Sequence, residues 1–156
     1  MSSARALANH KLYLARILAE AWSEALQREQ VTATTLAQAF QVPAVNHLVD
    51  AYGWFLLEVS GAESLPAAPP RGCQALPPIA QGKAVPGEIR EFLQLESDGW
   101  LQALLADYSN ITPITRQQTN SLAVSAVAAL NPGQIRQWAQ ALEDLFDRMG
   151  DSLDEY

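Results

Sequence analysis

The chain has 156 residues, the length of one ordinary domain, and its 49 % hydrophobic and 17 % charged residues are typical of a folded protein. Its 17 acidic residues outnumber the 10 basic ones, which gives a formal net charge of −7 and a pI near 4.7. Nucleic acids and anionic membranes attract clustered lysine and arginine, so this charge argues against both as partners.

The cysteine content and the hydropathy pattern indicate the compartment. The single cysteine, Cys73, excludes an internal disulfide and a zinc site built on paired cysteines. The beginning of the chain lacks the apolar run of a signal peptide. The longest interval without charge, 117–135, is too rich in polar side chains to span a membrane. We therefore expect a cytoplasmic protein without a membrane partner.

The first predicted element is a long helix over about Ser3–Glu29. Its apolar residues recur with a 4-3-4-3-4 spacing on one stripe, which consists of Ala8, Leu12, Ala15, Ala19, Trp22 and Leu26. A second apolar stripe lies beside the first and consists of Leu7, Leu14, Leu18, Ala21 and Ala25. A face this broad predicts a helix that is buried against two or more neighbours.

The second predicted helical region lies between Thr34 and Ser60 and contains a proline. We expect two helices here, about Thr34–Gln41 and Pro43–Ser60, with Pro43 in the first turn of the second; the alternative is one continuous helix that Pro43 kinks. Helical spacing is clear in the later part, where the apolar residues are Val45, Leu48, Val49, Tyr52, Leu56 and Val59. Gly61 is the predicted end of this region.

Prolines mark the next segment, because six of the nine fall between Pro66 and Pro86. Residues 62–86, which we call the strap, are therefore predicted to be irregular or polyproline-like rather than helix or strand. A lid and an exposed ligand for a partner are alternatives. We favour a segment packed over the helices, because it contains three potential apolar anchors, Leu65, Leu76 and Ile79.

Short helical patterns follow the strap. A helix over Gly87–Leu95 is predicted to turn Ile89, Phe92 and Leu93 inward, and Ser97 is predicted to cap a helix from Asp98 to about Tyr108. Residues 117–130 alternate weakly between apolar and polar, which leaves helix and strand open. We prefer a helix, because no partner strand is evident elsewhere in the sequence.

The last predicted helix begins at Asn131-Pro132-Gly133-Gln134, a capping asparagine followed by proline at the first helical position. Its predicted inner face consists of Ile135, Trp138, Ala139, Leu142, Leu145, Phe146 and Met149. The last fourteen residues contain six acidic ones. They form either a solvated acidic helix end or a surface close to the basic residues of the first helix, Arg5, Lys11 and Arg16.

Four residues of the second helix share one stripe at i, i+3, i+7 and i+11, namely His47, Asp50, Trp54 and Glu58. Histidine and carboxylates at this spacing could bind a metal or transfer protons. We favour a solvent-facing stripe in which Trp54 is covered by the strap or by an oligomer partner.

Lys11 lies within the apolar arc of the first helix. It either extends to water or pairs with Asp50, Glu58 or a C-terminal acid.

Motifs of known chemistry are missing from the sequence. It contains neither a Gly-x-Ser-x-Gly nucleophile elbow nor a glycine-rich phosphate loop, and Cys73 has no histidine near it in sequence. We therefore predict no catalytic residue, no metal and no cofactor.

The two ends of the chain are similar to a known group of proteins. The segments concerned are Asn9-His10-Lys11-Leu12-Tyr13-Leu14-Ala15-Arg16, then Arg148 with Asp154-Glu155-Tyr156, and more loosely Leu48–Glu58. In these segments the chain resembles a family of small uncharacterised bacterial cytosolic proteins that are all-helical. The resemblance implies a helical, bacterial and cytosolic protein, and it implies no activity or site residue.

These patterns predict one all-α domain, an irregular bundle of five to seven helices with the N-terminal helix at its centre. N-terminal helices occupy 1–61, the strap 62–86 and C-terminal helices 87–156. The preferred function is non-enzymatic protein–protein interaction, with a protein partner or as a homodimer. Besides the missing catalytic motifs, the reason is an apparent surplus of aromatic surface from four tryptophans, Trp22, Trp54, Trp100 and Trp138.

Two alternative functions belong to other classes. One is a small-molecule-binding bundle with a pocket between the first two helices, near Lys11, Tyr13 and Tyr52. The other is a metal-dependent enzyme that uses His47, Asp50 and Glu58.

Overall fold

The computed structural model describes residues 3–62, 64–76, 87–106, 108 and 130–154, the last four by their backbone alone. These residues contain no strand and form five helices packed as a bundle, which confirms the all-α prediction. The helices are α1 (Ala4–Arg28), α2 (Ala33–Ser60), α3 (Gly87–Asp98), α4 (Trp100–Leu104) and α5 (Pro132–Asp154). The segment 117–130, predicted to be helix or strand, lies outside the described residues except for Leu130.

Side-chain caps define where the first two helices begin. The Ser3 hydroxyl accepts a hydrogen bond from the Ala6 N–H at 3.0 Å, and the Thr32 hydroxyl accepts one from the Thr35 N–H at 3.3 Å. Each cap pairs a backbone donor that the first helical turn leaves without a partner. The predicted bounds of the first helix are therefore close to the observed ones.

Helices α1 and α2 form an antiparallel hairpin. Near the connecting turn Trp22 stacks on Phe40 with 6.0 Å between ring centroids, and farther away Lys11 of α1 meets Asp50 of α2. The predicted apolar stripe of α1 faces this hairpin and is buried from Ala8 to Trp22. The second stripe is only half-buried, so α1 is not enclosed on all sides.

The central helix of the bundle is α2, not the N-terminal helix that the sequence predicted. Every residue from Ala51 to Leu57 is buried, because α2 contacts each of the other four helices. It runs without interruption through Pro43, so the expected division into two helices is wrong. The missing proline N–H leaves the Ala39 carbonyl without its helical donor, but both residues are exposed, so water can reach that carbonyl.

Helix α5 packs against α1 and α2 and begins as predicted. The Asn131 side-chain oxygen accepts a hydrogen bond from the Gln134 N–H at 2.8 Å. Its predicted inner face is entirely buried, and Phe146 stacks on Phe55 of α2 at 4.1 Å between centroids. Helix α3 completes this aromatic core, because Phe92 meets both Phe55 and Tyr52 edge-on.

Two predictions for the region after the strap are wrong. Leu93 is 45 % exposed, because α3 buries only the face that carries Ile89 and Phe92. Ser97 does not cap the next helix, because α3 continues to Asp98 and only Gly99 separates it from α4. The Ser97 hydroxyl instead donates a hydrogen bond to the Gln94 carbonyl at 3.0 Å.

The described part of the strap crosses α2 at Gly53. A Cβ atom on Gly53 would overlap the Pro70 carbonyl oxygen and lie 2.9 Å from the Pro69 Cβ, so the two backbones are in direct contact. Of the predicted anchors, Leu76 packs against the core, whereas Leu65 is 39 % exposed and does not act as one. Ile79 lies outside the described residues.

The acidic C-terminal helix lies close to two of the three basic residues proposed for it. Arg16 pairs with Glu143 at 2.5 Å, and the Arg5 guanidinium lies against Gly150. Lys11 pairs with Asp50 of α2 instead.

Candidate functional site

One edge of the α1–α2 hairpin brings together several of the residues selected from the sequence. The Lys11 ammonium lies 3.6 Å from the Asp50 carboxylate, and both side chains remain about 30 % exposed, at 28 % and 32 %. Of the two interpretations of Lys11, the internal pair with Asp50 is the one that forms. Because both side chains are partly exposed, water screens the attraction between the two charges, so the pair contributes little to stability.

His47 belongs to the same cluster and is half-buried beside it. Burial lowers the pKa of His47 below its ordinary value of 6.5, the Lys11 ammonium lowers it further, and Asp50 acts in the opposite direction. The Nδ1 atom is buried and has no hydrogen-bond partner in the described part of the chain. The imidazole is therefore neutral near pH 7, since protonation would bury an unpaired charge.

The other two residues of the predicted polar stripe, Trp54 and Glu58, are also not fully exposed to solvent. Trp54 is 7 % exposed within the single chain, so its burial needs no oligomer partner, and Glu58 is half-buried. Among the residues that the structure describes, no three His, Cys, Asp or Glu side chains are grouped so that they could hold a metal ion.

Tyr52 lies on the opposite side of α2 from this cluster. It is fully buried, donates a hydrogen bond to the Glu96 carboxylate of α3, and lies 3.7 Å from the Cys73 sulfur. Tyr13 is exposed on α1. The structure therefore does not unite Lys11, Tyr13 and Tyr52 around one pocket between α1 and α2.

The contacts of Tyr52 hold the strap to the bundle. The Cys73 N–H donates to Glu96 at 3.0 Å, so one carboxylate joins α2, α3 and the strap. Burial raises the pKa of the Cys73 thiol to about 12, and its hydrogen bond to Glu96 adds to the shift. A thiol with this pKa is a poor nucleophile, because the reactive species is the thiolate. This cluster is therefore a structural contact rather than a reactive site.

A row of exposed residues runs along the side of α1 that faces away from the bundle. It repeats the 4-3-4-3-4 spacing of the buried stripe and consists of Ala6, His10, Tyr13, Ile17, Glu20 and Glu24, which we call the α1 outer face. Tyr13 is 62 % exposed and Ile17 is 45 % exposed, one helical turn apart. They are the only two of the exposed large apolar side chains in the described residues that share a helix face.

Ile17 is the residue that the sequence analysis missed. Ile17 belongs to neither of the two apolar stripes that were predicted for the first helix. The signal that could have found it is the second 4-3-4-3-4 row, in which two apolar side chains lie between polar ones.

The tryptophans provide no surplus aromatic surface. Trp22, Trp54 and Trp138 are buried in the core of the single chain, and Trp100 is half-buried. The aromatic content therefore reflects an ordinary core, and the exposed apolar side chains that share a helix face lie on the α1 outer face instead.

Comparison with known proteins places the chain in a family. The chain matches the family of unknown function DUF6586 over residues 1–156. It belongs to this family. The DUF6586 match includes the strap, whereas the resemblance seen in the sequence was confined to the two ends and Leu48–Glu58. No curated protein and no solved structure matches the chain. None of the described helices of this DUF6586 protein is long and apolar enough to cross a membrane.

Proposed function

We propose that this DUF6586 protein is a non-enzymatic interaction protein that forms a homodimer through the α1 outer face. The observation that supports the proposal is the pair Tyr13 and Ile17, two large apolar side chains exposed one turn apart on α1. Neighbouring exposed apolar side chains framed by polar ones are typical of surfaces that another protein covers.

The order of polar and apolar residues along the α1 outer face favours a second copy in antiparallel orientation. Tyr13 and Ile17 are equally far from the midpoint of the row, as are His10 and Glu20. In an antiparallel pair with twofold symmetry, Tyr13 meets the partner subunit's Ile17 and His10 meets the partner subunit's Glu20. A parallel pair would oppose Glu20 to its own copy, which is unfavourable.

The size of the face predicts a weak dimer. The row from Ala6 to Glu24 is about 27 Å long at 1.5 Å per residue. One helix face of this length is smaller than the roughly 800 Å² per subunit of a standard interface. We therefore expect a dissociation constant in the micromolar range rather than the nanomolar range.

Sedimentation velocity between about 1 and 300 µM tests the proposal directly. The wild-type protein is expected to shift with concentration from 17.0 kDa towards twice that mass. Ile17→Lys should keep it monomeric throughout. Leu93→Lys is the matched control, because Leu93 is also 45 % exposed but lies on α3. A wild-type protein that stays monomeric, or two variants that behave alike, would contradict the proposal.

A charge exchange tests the antiparallel register separately. His10→Glu should weaken the dimer, because it opposes two pairs of like charges across the twofold axis. Adding Glu20→Lys to the same chain should restore association, since each pair then has opposite signs. A double variant that associates no better than His10→Glu alone would refute the antiparallel register but not the use of the face.

A further inference from the structure

A second candidate site lies between α2, the strap and the three described residues that follow α4, Leu105, Ala106 and Tyr108. It is a cavity of about 470 Å³, within the size range of small-molecule sites. Its walls are about half apolar, and the apolar side chains are Val42 and Val45 of α2 and Leu105 and Ala106 after α4.

The Tyr108 side chain lines this cavity and is held in place by contacts within the chain. Its hydroxyl donates to the Ala103 carbonyl at 2.5 Å, which fixes the ring, and the ring is backed by Trp138 at 6.3 Å between centroids. The hydroxyl is therefore already used within the chain. Among the described side chains that line the cavity, the polar groups that remain for a ligand are the Asn46 amide and the Arg71 guanidinium.

Arg71 is the single charged residue among those described around the cavity. It makes no ion pair with any described residue, although the protein carries a net charge of −7. The strap that carries it is held on both sides, by Pro70 against Gly53 and by the Cys73 N–H on Glu96. The position of the Arg71 backbone at the cavity is therefore set before any ligand binds.

We propose that this cavity binds a small carboxylate with an apolar chain. The guanidinium offers a planar pair of donors that matches a carboxylate, and the valine, leucine and alanine walls match a hydrocarbon chain. Because the net charge of the protein repels anions, the affinity for the carboxylate depends on Arg71. This site is separate from the α1 outer face and does not depend on dimer formation.

Octanoate and its uncharged counterpart 1-octanol are suitable probes. A titration followed by amide NMR should shift the signals of Val45, Leu105 and Ala106, and octanoate should bind at least about tenfold more tightly than octanol. Arg71→Gln should weaken octanoate binding about tenfold and leave octanol binding unchanged. Arg71 is exposed, so this substitution should not disturb folding.

Arg90→Gln is the matched control, because Arg90 is also exposed but lies on α3 and does not line the cavity. It removes the same charge and should leave octanoate affinity unchanged. Three outcomes would overturn the proposal: no octanoate binding to the wild type, equal affinity in Arg71→Gln, or equal weakening in both variants. The last would mean that total charge, not this site, attracts the anion.

Discussion

Replacing Gly53 by alanine tests whether the strap rests directly on α2. In an unobstructed helix interior this change stabilises a protein by about 1 kcal/mol, because glycine loses more backbone entropy on folding. At Gly53 the added methyl group would overlap the Pro70 carbonyl oxygen and lie 2.9 Å from the Pro69 Cβ. Neither neighbour is the end of a flexible side chain, so the strap itself must move.

The energetic cost of moving the strap decides whether Gly53→Ala raises or lowers the free energy of unfolding. Overpacking by one methyl group costs about 1–3 kcal/mol. A displaced strap would also weaken the hydrogen bond from the Cys73 N–H to Glu96, worth about 1.5 kcal/mol or more because the acceptor is charged. After the helix-propensity gain of about 1 kcal/mol is subtracted, we expect Gly53→Ala to lower the free energy of unfolding by about 1–3 kcal/mol.

Urea denaturation followed by circular dichroism measures this difference, as a lower midpoint at an unchanged slope. Gly87→Ala is the matched control, because no atom of the described residues lies within 4 Å of the Cβ it would add at the start of α3. It should be neutral or slightly stabilising. If the free energy of unfolding of Gly53→Ala equals or exceeds that of the wild type, the direct contact between the strap and α2 is refuted.

Three further outcomes are expected. Glu96→Gln should destabilise the fold by about 1–3 kcal/mol and speed alkylation of Cys73, because Tyr52 and the Cys73 N–H lose a charged acceptor; unchanged alkylation kinetics would argue against this contact. The lowered pKa of His47 means that the unfolded chain binds more protons below its ordinary pKa of 6.5, so stability should fall as the pH drops below that value. His47→Gln should flatten that dependence between about pH 5 and 7 in urea titrations, and an unchanged slope would contradict the assignment. Asn131→Ala should cost about 1 kcal/mol in the same assay through loss of the cap on α5, and a neutral result would show that the cap adds nothing.

Local patterns predicted the helices well, because caps and apolar spacing act within a few residues. Ser3 and Asn131 cap helices through hydrogen bonds to residues three positions ahead, so the signal lies in adjacent sequence. The inner face of α5 follows from a period of 3.6 residues alone. The same reasoning failed at Leu93, because the width of a buried face depends on how many neighbours the helix contacts.

The candidate sites were less accessible to sequence reasoning. Asp50 was one of several acidic residues with which Lys11 could pair. The packing of α1 against α2 brings Lys11 to Asp50 rather than to the others. The joint contact of Tyr52, Cys73 and Glu96 spans 44 residues, and no local pattern links them.

Composition and periodicity are properties of neighbouring residues, so an acidic, all-α protein with long amphipathic helices can be predicted from the residues alone. The central place of α2, the crossing of the strap at Gly53 and the exposure of Tyr13 and Ile17 become visible only once the helices are packed together. Burial of a side chain depends on which distant segments pack around it, and that arrangement is settled by the summed packing of the whole bundle.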